Sequence, residues 1–150
     1  MSQLSTYHTT VRWKGEHLGE IHLGNGPEME FSAPPDAMGQ SNVLTPEDAF
    51  VAAVNSCIML MFLWSCERLK IQLLSYECRA EGTKLVELDK TEIFTKVQLI
   101  PQIKVKAGGV PRWTIEARIG RALNSARKYS LVANSIKSEV IINPVIEIIE

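Results

Sequence analysis

The stretch Leu44–Trp64 constrains the fold of this chain more than any other part of its sequence. It opens with residues that start helices, because Thr45 is a suitable N-cap and Pro46 fits the first helical position. Two acids follow in the first turn, where the helix dipole favours negative charge. The sequence therefore predicts a long helix from about Pro46 to Leu69.

The predicted helix is apolar on nearly every side. From residue 49 to residue 64 only Asn55 and Ser56 are polar. A helix without a polar face must be covered on all sides, within its own subunit or between two subunits. The run is shorter than the ~20 apolar residues that span a bilayer, and the charged residues Glu67 and Arg68 follow it. We therefore expect a buried central helix in a homodimer, and no membrane partner.

The remaining sequence predicts short strands before this helix, two longer strands after it, and two further helices before a final strand. Hydrophobic alternation, turn residues and helical spacing define these elements. The predicted strands are Tyr7–Trp13, Glu20–Leu23, Glu28–Phe31, Leu74–Glu81, Thr91–Val105 and Glu139–Ile149. Of the two predicted helices, the first is capped by Thr114, and the second, Leu131–Ile136, is capped by Ser130. Pro101 and Pro144 fall inside strands, which predicts a bulge or a sheet edge at each. This order indicates an α+β fold with antiparallel sheets, in a single domain over residues 1–150.

Charge and cysteine content narrow the class of function. The net charge of -1 and a pI near 6.3 give no reason to expect nucleic acid or an anionic membrane as partner. The polar N-terminus lacks the apolar segment of a signal peptide. Three cysteines without CxxC spacing or histidine clusters predict neither a disulfide framework nor a zinc site. We therefore expect a cytoplasmic protein without a metal or a cofactor.

The cysteines differ in their surroundings. Cys57 lies in the apolar run beside its only polar pair, where a cysteine is either a small core residue or a reactive thiol. Cys66 is farther along the same helix, ~13 Å along its axis and beyond disulfide reach. Cys78 falls on the apolar face of its predicted strand and is expected to be structural. The candidate acid Glu47 lies ~15 Å from Cys57 along a straight helix, so the two would meet through a bend or across a dimer.

Two motifs resemble the OsmC/Ohr family of peroxide-reducing proteins. The first comprises T-P-E-D-A-F at residues 45–50, A-A at 52–53 and S-C at 56–57, after G-P at 26–27 and S-A-P-P at 32–35. The second is A-R-K-Y-S-L-V-A-N-S at residues 126–135. With the order of strands and helices, the resemblance covers nearly the whole chain. It implies an intertwined homodimer in which sheets from both chains wrap two long helices, with active sites at the interface.

The resemblance also implies roles for individual residues. In the family a first cysteine, as a thiolate, attacks an organic hydroperoxide, and a second cysteine then forms a disulfide with it that a dithiol reduces. Cys57 matches the first cysteine, and Glu47 matches a glutamate that poises its thiolate. The family's arginine has one candidate before Cys57, namely Arg12. Ser130 stands at the position of the second cysteine, or Tyr129 does after a slip of one residue, and neither is a thiol.

Two hypotheses of different classes follow. The first is a thiol peroxidase with one catalytic cysteine, in which Cys57 is the nucleophile, Glu47 and Arg12 poise it, and an external thiol reduces it. The second is a non-catalytic homodimer of the same fold that binds a small apolar ligand at its interface or has a structural role. The second is compatible with plain structural roles: Ser130 as an N-cap, Arg12 as a solvent-facing strand residue and Glu47 as a first-turn acid.

Overall fold

The computed structural model describes residues 2–150. In it the chain forms two compact units, an N-terminal unit up to Phe50 and a C-terminal unit over Val51–Glu150. The boundary falls inside the long helix α1, Pro46–Arg68, whose first turn belongs to the N-terminal unit. The single domain expected over residues 1–150 stays a prediction.

The N-terminal unit contains the antiparallel meander that the sequence predicts. Its strands, in the order β1-β2-β3, are β1 Thr9–Trp13, β2 Leu18–Leu23 and β3 Glu28–Ser32, followed by a 3-10 turn at Pro35–Ala37. Val11, Ile21 and Met29 lie opposite one another in register and form an apolar face of this sheet. That face is open to solvent on β1, since the exposed fraction of Val11 is 61% and that of Trp13 is 78%.

Helix α1 begins as predicted. The Thr45 hydroxyl accepts the Asp48 N–H at 3.1 Å and so caps the first turn. In the C-terminal unit only a stripe of the helix is buried, with Val54, Ile58 and Phe62 at 0% exposure. A single chain therefore covers much of this apolar helix only in part and leaves one side of it exposed, including Leu60 and Trp64.

The expectation that α1 does not span a membrane rests on its charged ends and not on the length of the helix. The helix has 23 residues and is long and apolar enough to cross a bilayer, judged by length and composition alone. Such a test is also passed by core helices of water-soluble proteins. The acids Glu47 and Asp48 at its start and Arg68 at its end still disfavour a spanning helix.

The sheet of the C-terminal unit is mixed, which corrects the expectation of antiparallel sheets only. Its four strands are β4 Gln72–Val86, β5 Glu92–Lys106, β6 Glu139–Ile142 and β7 Val145–Ile149. β4 and β5 form a long antiparallel hairpin, in which β4 continues past its predicted end at Glu81 to Val86. β6 and β7 both pair with β5 in parallel. The parallel pairing follows from the crossover through helices, which returns the chain in the same direction.

Pro101 lies within the central strand of this sheet, neither at an edge nor at a bulge. β5 has β4 on one side and β6 and β7 on the other. β6 pairs with β5 only as far as Leu99, and β7 begins opposite Gln102, so Pro101 faces the break between them. A proline has no N–H, and here a neighbouring strand is interrupted where that donor is missing. Pro144 lies in this break at the edge of the sheet, so the single strand predicted over Glu139–Ile149 is in fact two strands, β6 and β7.

Two helices connect the sheet's hairpin to its last strands. Helix α2, Arg112–Tyr129, begins after Pro111 as N-cap, so the prediction that Thr114 caps it was wrong. Its predicted apolar face is buried and comprises Ile115, Ile119, Ala122, Leu123 and Ala126. Helix α3, Leu131–Asn134, is a single turn that Ser130 caps as predicted. The α2–α3 junction therefore fixes the backbone of Ser130.

Candidate thiol site at Cys57 and Ser130

Cys57 and Ser130 are brought together although 73 residues separate them in the chain. Cys57 lies in the middle of α1 and is partly buried. The Ser130 hydroxyl donates to the Cys57 sulfur with an Oγ–Sγ distance of 3.1 Å. The resemblance places Cys57 and Ser130 at the positions of two cysteines that form a disulfide in the family, and in this structure the two side chains are in contact.

The position of the Ser130 hydroxyl follows from local helix chemistry. Its oxygen accepts the Ala133 N–H at 3.1 Å, which is the usual bond of an N-cap serine. The side chain is 0% exposed, so it is held in one place by packing as well as by this bond. Tyr129, the alternative after a slip of one residue, is 60% exposed and lies under the Lys128 ammonium group. Ser130, rather than Tyr129, contacts the Cys57 sulfur.

The other two thiols are poor candidates for reaction. Burial, with a smaller contribution from the Glu67 carboxylate, raises the pKa of the Cys66 thiol to about 12. Burial also raises the pKa of the Cys78 thiol. Since the thiolate is the nucleophile, both groups are largely unreactive at neutral pH. All three cysteines are free, and Cys57 remains as the candidate nucleophile.

Glu47 and Arg12, the two predicted partners of Cys57, belong to the N-terminal unit. One carboxylate oxygen of Glu47 is buried and has no hydrogen-bond partner among the residues that the structure describes. A buried carboxylate oxygen without a donor is costly, so this group needs a partner from elsewhere. Arg12 lies on the charged face of the meander, with its guanidinium 4.0 Å from the Glu20 carboxylate. The roles of both residues at Cys57 stay predictions.

A pocket lies on a side of α1 that does not carry Cys57. It has a volume of about 310 Å³ and is lined by Ala52, Asn55, Ser56, Met59, Tyr76 and Cys78. At ~100° per residue, Cys57 points well away from the helix face that lines this pocket. The Tyr76 hydroxyl is buried without a well-formed hydrogen bond among residues 2–150. Burial, with smaller effects from Cys78 and Cys66, raises the pKa of Tyr76, so its hydroxyl stays protonated and can donate.

The sequence interpretation missed this pocket. It placed Cys78 on the apolar face of its strand and expected it to be structural, and Tyr76 lies on the same face two residues earlier. A usable signal was that the only polar pair of the apolar helix, Asn55 and Ser56, requires polar surroundings. The Asn55 amide has a polar partner, because its Nδ2 donates a hydrogen bond to the Cys78 carbonyl at 3.1 Å.

A group of metal-ligand side chains on the meander also went unnoticed. Ligand atoms of Glu20, His22 and Glu28 lie within 4.8 Å of one another. His22 already contacts both carboxylates, and the Lys14 ammonium is 3.9 Å from Glu20. These contacts account for the cluster as an ion-pair network on the face of the sheet.

Comparison with known protein families shows which family this chain belongs to. The family model described as OsmC-like protein matches residues 39–144. The chain belongs to the OsmC-like family. The matched region extends from before α1 to the break between β6 and β7, and so includes both Cys57 and Ser130.

Solved structures of OsmC-like proteins share the fold. An OsmC-like protein of unknown function from Vibrio cholerae has 24% identity and a TM-score of 0.84, over 95% of this chain and 100% of that chain. The organic hydroperoxide resistance protein OsmC from Legionella pneumophila has 17% identity and a TM-score of 0.67, over 97% and 99%. OhrB, the organic hydroperoxide resistance protein of Bacillus subtilis, has 17% identity and a TM-score of 0.61, over 97% and 100%. No curated protein matches the chain. These similarities confirm the predicted α+β OsmC-like fold. At sequence identities this low they show the fold and not a shared activity.

Proposed function

We propose that the protein is a thiol-dependent peroxidase that reduces organic hydroperoxides with one catalytic cysteine, Cys57. The observation that carries the proposal is the 3.1 Å contact between the Cys57 sulfur and Ser130. It joins the two motifs that resemble the OsmC/Ohr site within a chain of the OsmC-like family. Two proteins of the same fold are named for organic hydroperoxide resistance.

The proposed reaction needs no cofactor. The Cys57 thiolate attacks the terminal oxygen of the hydroperoxide, the O–O bond breaks, and the alkoxide takes a proton from solvent and leaves as an alcohol. Cys57 is thereby oxidised to sulfenic acid. An external thiol attacks that sulfur, releases water and forms a mixed disulfide, and a second thiol reduces this to free Cys57 and an external disulfide. Ser130 cannot form a disulfide, so the thiol that reduces the sulfenic acid must come from outside the chain. We place the protein and this external thiol in the cytoplasm.

The proposed active form is a homodimer. Leu60 and Trp64 on α1 are 46% and 55% exposed, and the apolar face of the meander is open as well. Apolar faces of this extent usually mark an interface. In a dimer the second chain would bring a cation to the partly exposed Glu47 carboxylate, with Arg12 as the candidate that the resemblance implies.

A peroxide consumption assay tests the proposal. Purified protein is mixed with cumene hydroperoxide and a dithiol, and the remaining peroxide is measured over time. We expect consumption that needs the dithiol and disappears in Cys57→Ser. The matched control is Cys78→Ser, which removes another partly buried thiol and should retain activity. Activity that survives Cys57→Ser would refute the proposal.

A second candidate function is favoured by the pocket beside Tyr76. A volume of about 310 Å³ is at the small end of ligand pockets. Its lining is apolar at Ala52 and Met59, and the buried Tyr76 hydroxyl, which has no well-formed hydrogen bond among residues 2–150, can act as a donor. It would suit a small neutral molecule with a single hydrogen-bond acceptor. Ligand-observed NMR with small ketones tests this, because binding by this donor should weaken in Tyr76→Phe and not in the distant Tyr129→Phe.

A further inference from the structure

The hydrogen bonds of the Ser130 hydroxyl determine where its proton points. Its oxygen accepts the Ala133 N–H at 3.1 Å, and Cys57 is its acceptor partner in the described part of the chain. The side chain is 0% exposed, so bulk water offers no alternative partner. A serine hydroxyl has one proton to donate. That proton is therefore directed at the Cys57 sulfur.

We propose that Ser130 is a catalytic residue whose hydroxyl donates a hydrogen bond to the Cys57 thiolate and stabilises it. Its part in turnover rests on the proposed peroxidase function, but the hydrogen bond acts in any reaction of this thiolate. Ser130 stands at the position of the family's second cysteine. In this chain that position therefore holds a fixed hydrogen-bond donor to Cys57 in place of a thiol that could form a disulfide with it.

A donor is needed because Cys57 is only partly exposed to solvent. A thiolate that loses part of its hydration is disfavoured unless donors or cations replace the lost water. Hydrogen bonds to ionised acceptors are roughly twice as strong as those between neutral groups. Ser130 therefore favours the thiolate of Cys57 over the thiol and raises the fraction that is nucleophilic at neutral pH.

The same hydrogen bond serves both halves of the proposed cycle. In the first half the thiolate attacks the hydroperoxide, so a larger thiolate population speeds the reaction. In the second half an external thiolate attacks the external sulfur of the mixed disulfide. The bond to Cys57 breaks, a new disulfide forms between the two external sulfurs, and Cys57 leaves as a thiolate. A leaving thiolate that is stabilised departs faster.

Thiolate stabilisation leaves a signature in the pH dependence of alkylation. A stabilised thiolate is more abundant but a weaker nucleophile, with a Brønsted coefficient of about 0.4–0.5. If the lost donor lowers the thiolate population roughly tenfold, Ser130→Ala should react with iodoacetamide roughly threefold more slowly at pH 7. At a pH high enough to ionise Cys57 in both proteins, the variant should react roughly threefold faster. The two rate profiles should therefore cross.

The measurement must isolate Cys57 from the other thiols. Chymotrypsin cleaves at Phe62 and Trp64, which separates the Cys57 peptide from that of Cys66 for mass spectrometry. Ser130→Thr retains the hydroxyl and should keep the wild-type profile. The matched control is Ser135→Ala, because Ser135 lies at the end of the same short helix and donates to the Leu131 carbonyl instead. It should also leave the profile unchanged.

Ser130→Ala also removes the cap of α3, so a second variant separates the two roles. Ser130→Asp keeps a cap acceptor for the Ala133 N–H but, when ionised, has no proton to donate. We expect it to react more slowly than wild type at pH 7. A wild-type profile in Ser130→Asp, or a Ser130→Ala profile that is shifted by one factor at every pH, would overturn the proposal. Alkylation uses no peroxide, so crossing profiles without peroxide consumption would support Ser130 and reject only the peroxidase function.

Discussion

At the scale of single residues, burial sets the order in which the three thiols should react. It raises the pKa of Cys66 to about 12 and raises that of Cys78 as well, so both stay protonated at neutral pH. Oxidation follows thiolate character and exposure. After one equivalent of hydroperoxide, dimedone should therefore label Cys57 before the other two. Mass spectrometry of the labelled peptides decides the matter, and first labelling at Cys66 would contradict this order.

A second prediction at this scale uses the distance at the site. Ser130 Oγ is 3.1 Å from Cys57 Sγ, and a disulfide needs two sulfurs about 2.05 Å apart after small adjustments. Ser130→Cys should therefore form an intramolecular disulfide with Cys57 after one equivalent of cumene hydroperoxide. Peptide mapping without reduction detects the link.

Tyr129→Cys provides the matched control for this experiment. It places a thiol one residue away on a side chain that is 60% exposed, and it should give no such link. A Ser130→Cys variant in which Cys57 proceeds to sulfinic acid would mean that the second motif does not hold the disulfide geometry.

The sequence predicted Cys57 and Ser130 because both belong to short motifs with a recognisable pattern. It could not predict that the Tyr76 hydroxyl has no well-formed hydrogen bond among residues 2–150, because this depends on packing between α1 and β4. Alternation assigns a residue to a face of a strand and does not say whether that face is filled. The same limit applies to Glu47, whose unpaired oxygen is a property of its buried surroundings.

At the scale of elements, local chemistry predicted helix starts unevenly. Thr45 and Ser130 both cap helices as expected, whereas α2 starts two residues before Thr114. The sequence at 111–114 offers a proline and a threonine, and the structure uses the proline. The parallel pairing of β6 and β7 was missed for another reason, since strand direction depends on the path of the crossover and not on the strand's own residues.

A pair of threonine substitutions tests these helix starts. Thr45→Ala removes the acceptor of the Asp48 N–H and should lower the free energy of unfolding by about 1 kcal/mol. Thr114→Ala is the matched control, because Thr114 is already inside α2 and alanine favours helix. Urea unfolding at one fixed protein concentration gives both values. Equal losses in the two variants would mean that the cap of α1 adds no stability.

At the scale of the whole molecule, the apolar surface of α1 requires a cover. The buried stripe of the helix packs within its own chain, while Leu60 and Trp64 lie on its exposed side. Because the sequence is apolar around the helix, it predicted that burial on all sides needs a second chain. It could not predict which residues would face that chain, since this depends on where the sheet of the same chain covers the helix.

Two tryptophan substitutions test whether this exposed side of α1 is the dimer interface. Trp64 is 55% exposed on α1, and Trp113 is 73% exposed on α2. If α1 packs against a second chain, Trp64→Lys would bury an unpaired charge in the interface and should dissociate the dimer. Trp113→Lys makes the same chemical change away from α1 and should not. Sedimentation equilibrium at micromolar concentration should give twice the chain mass of 16.8 kDa for wild type and Trp113→Lys, and the chain mass for Trp64→Lys. A wild-type protein that sediments as a stable monomer would contradict the homodimer and leave the uncovered face of α1 to another partner.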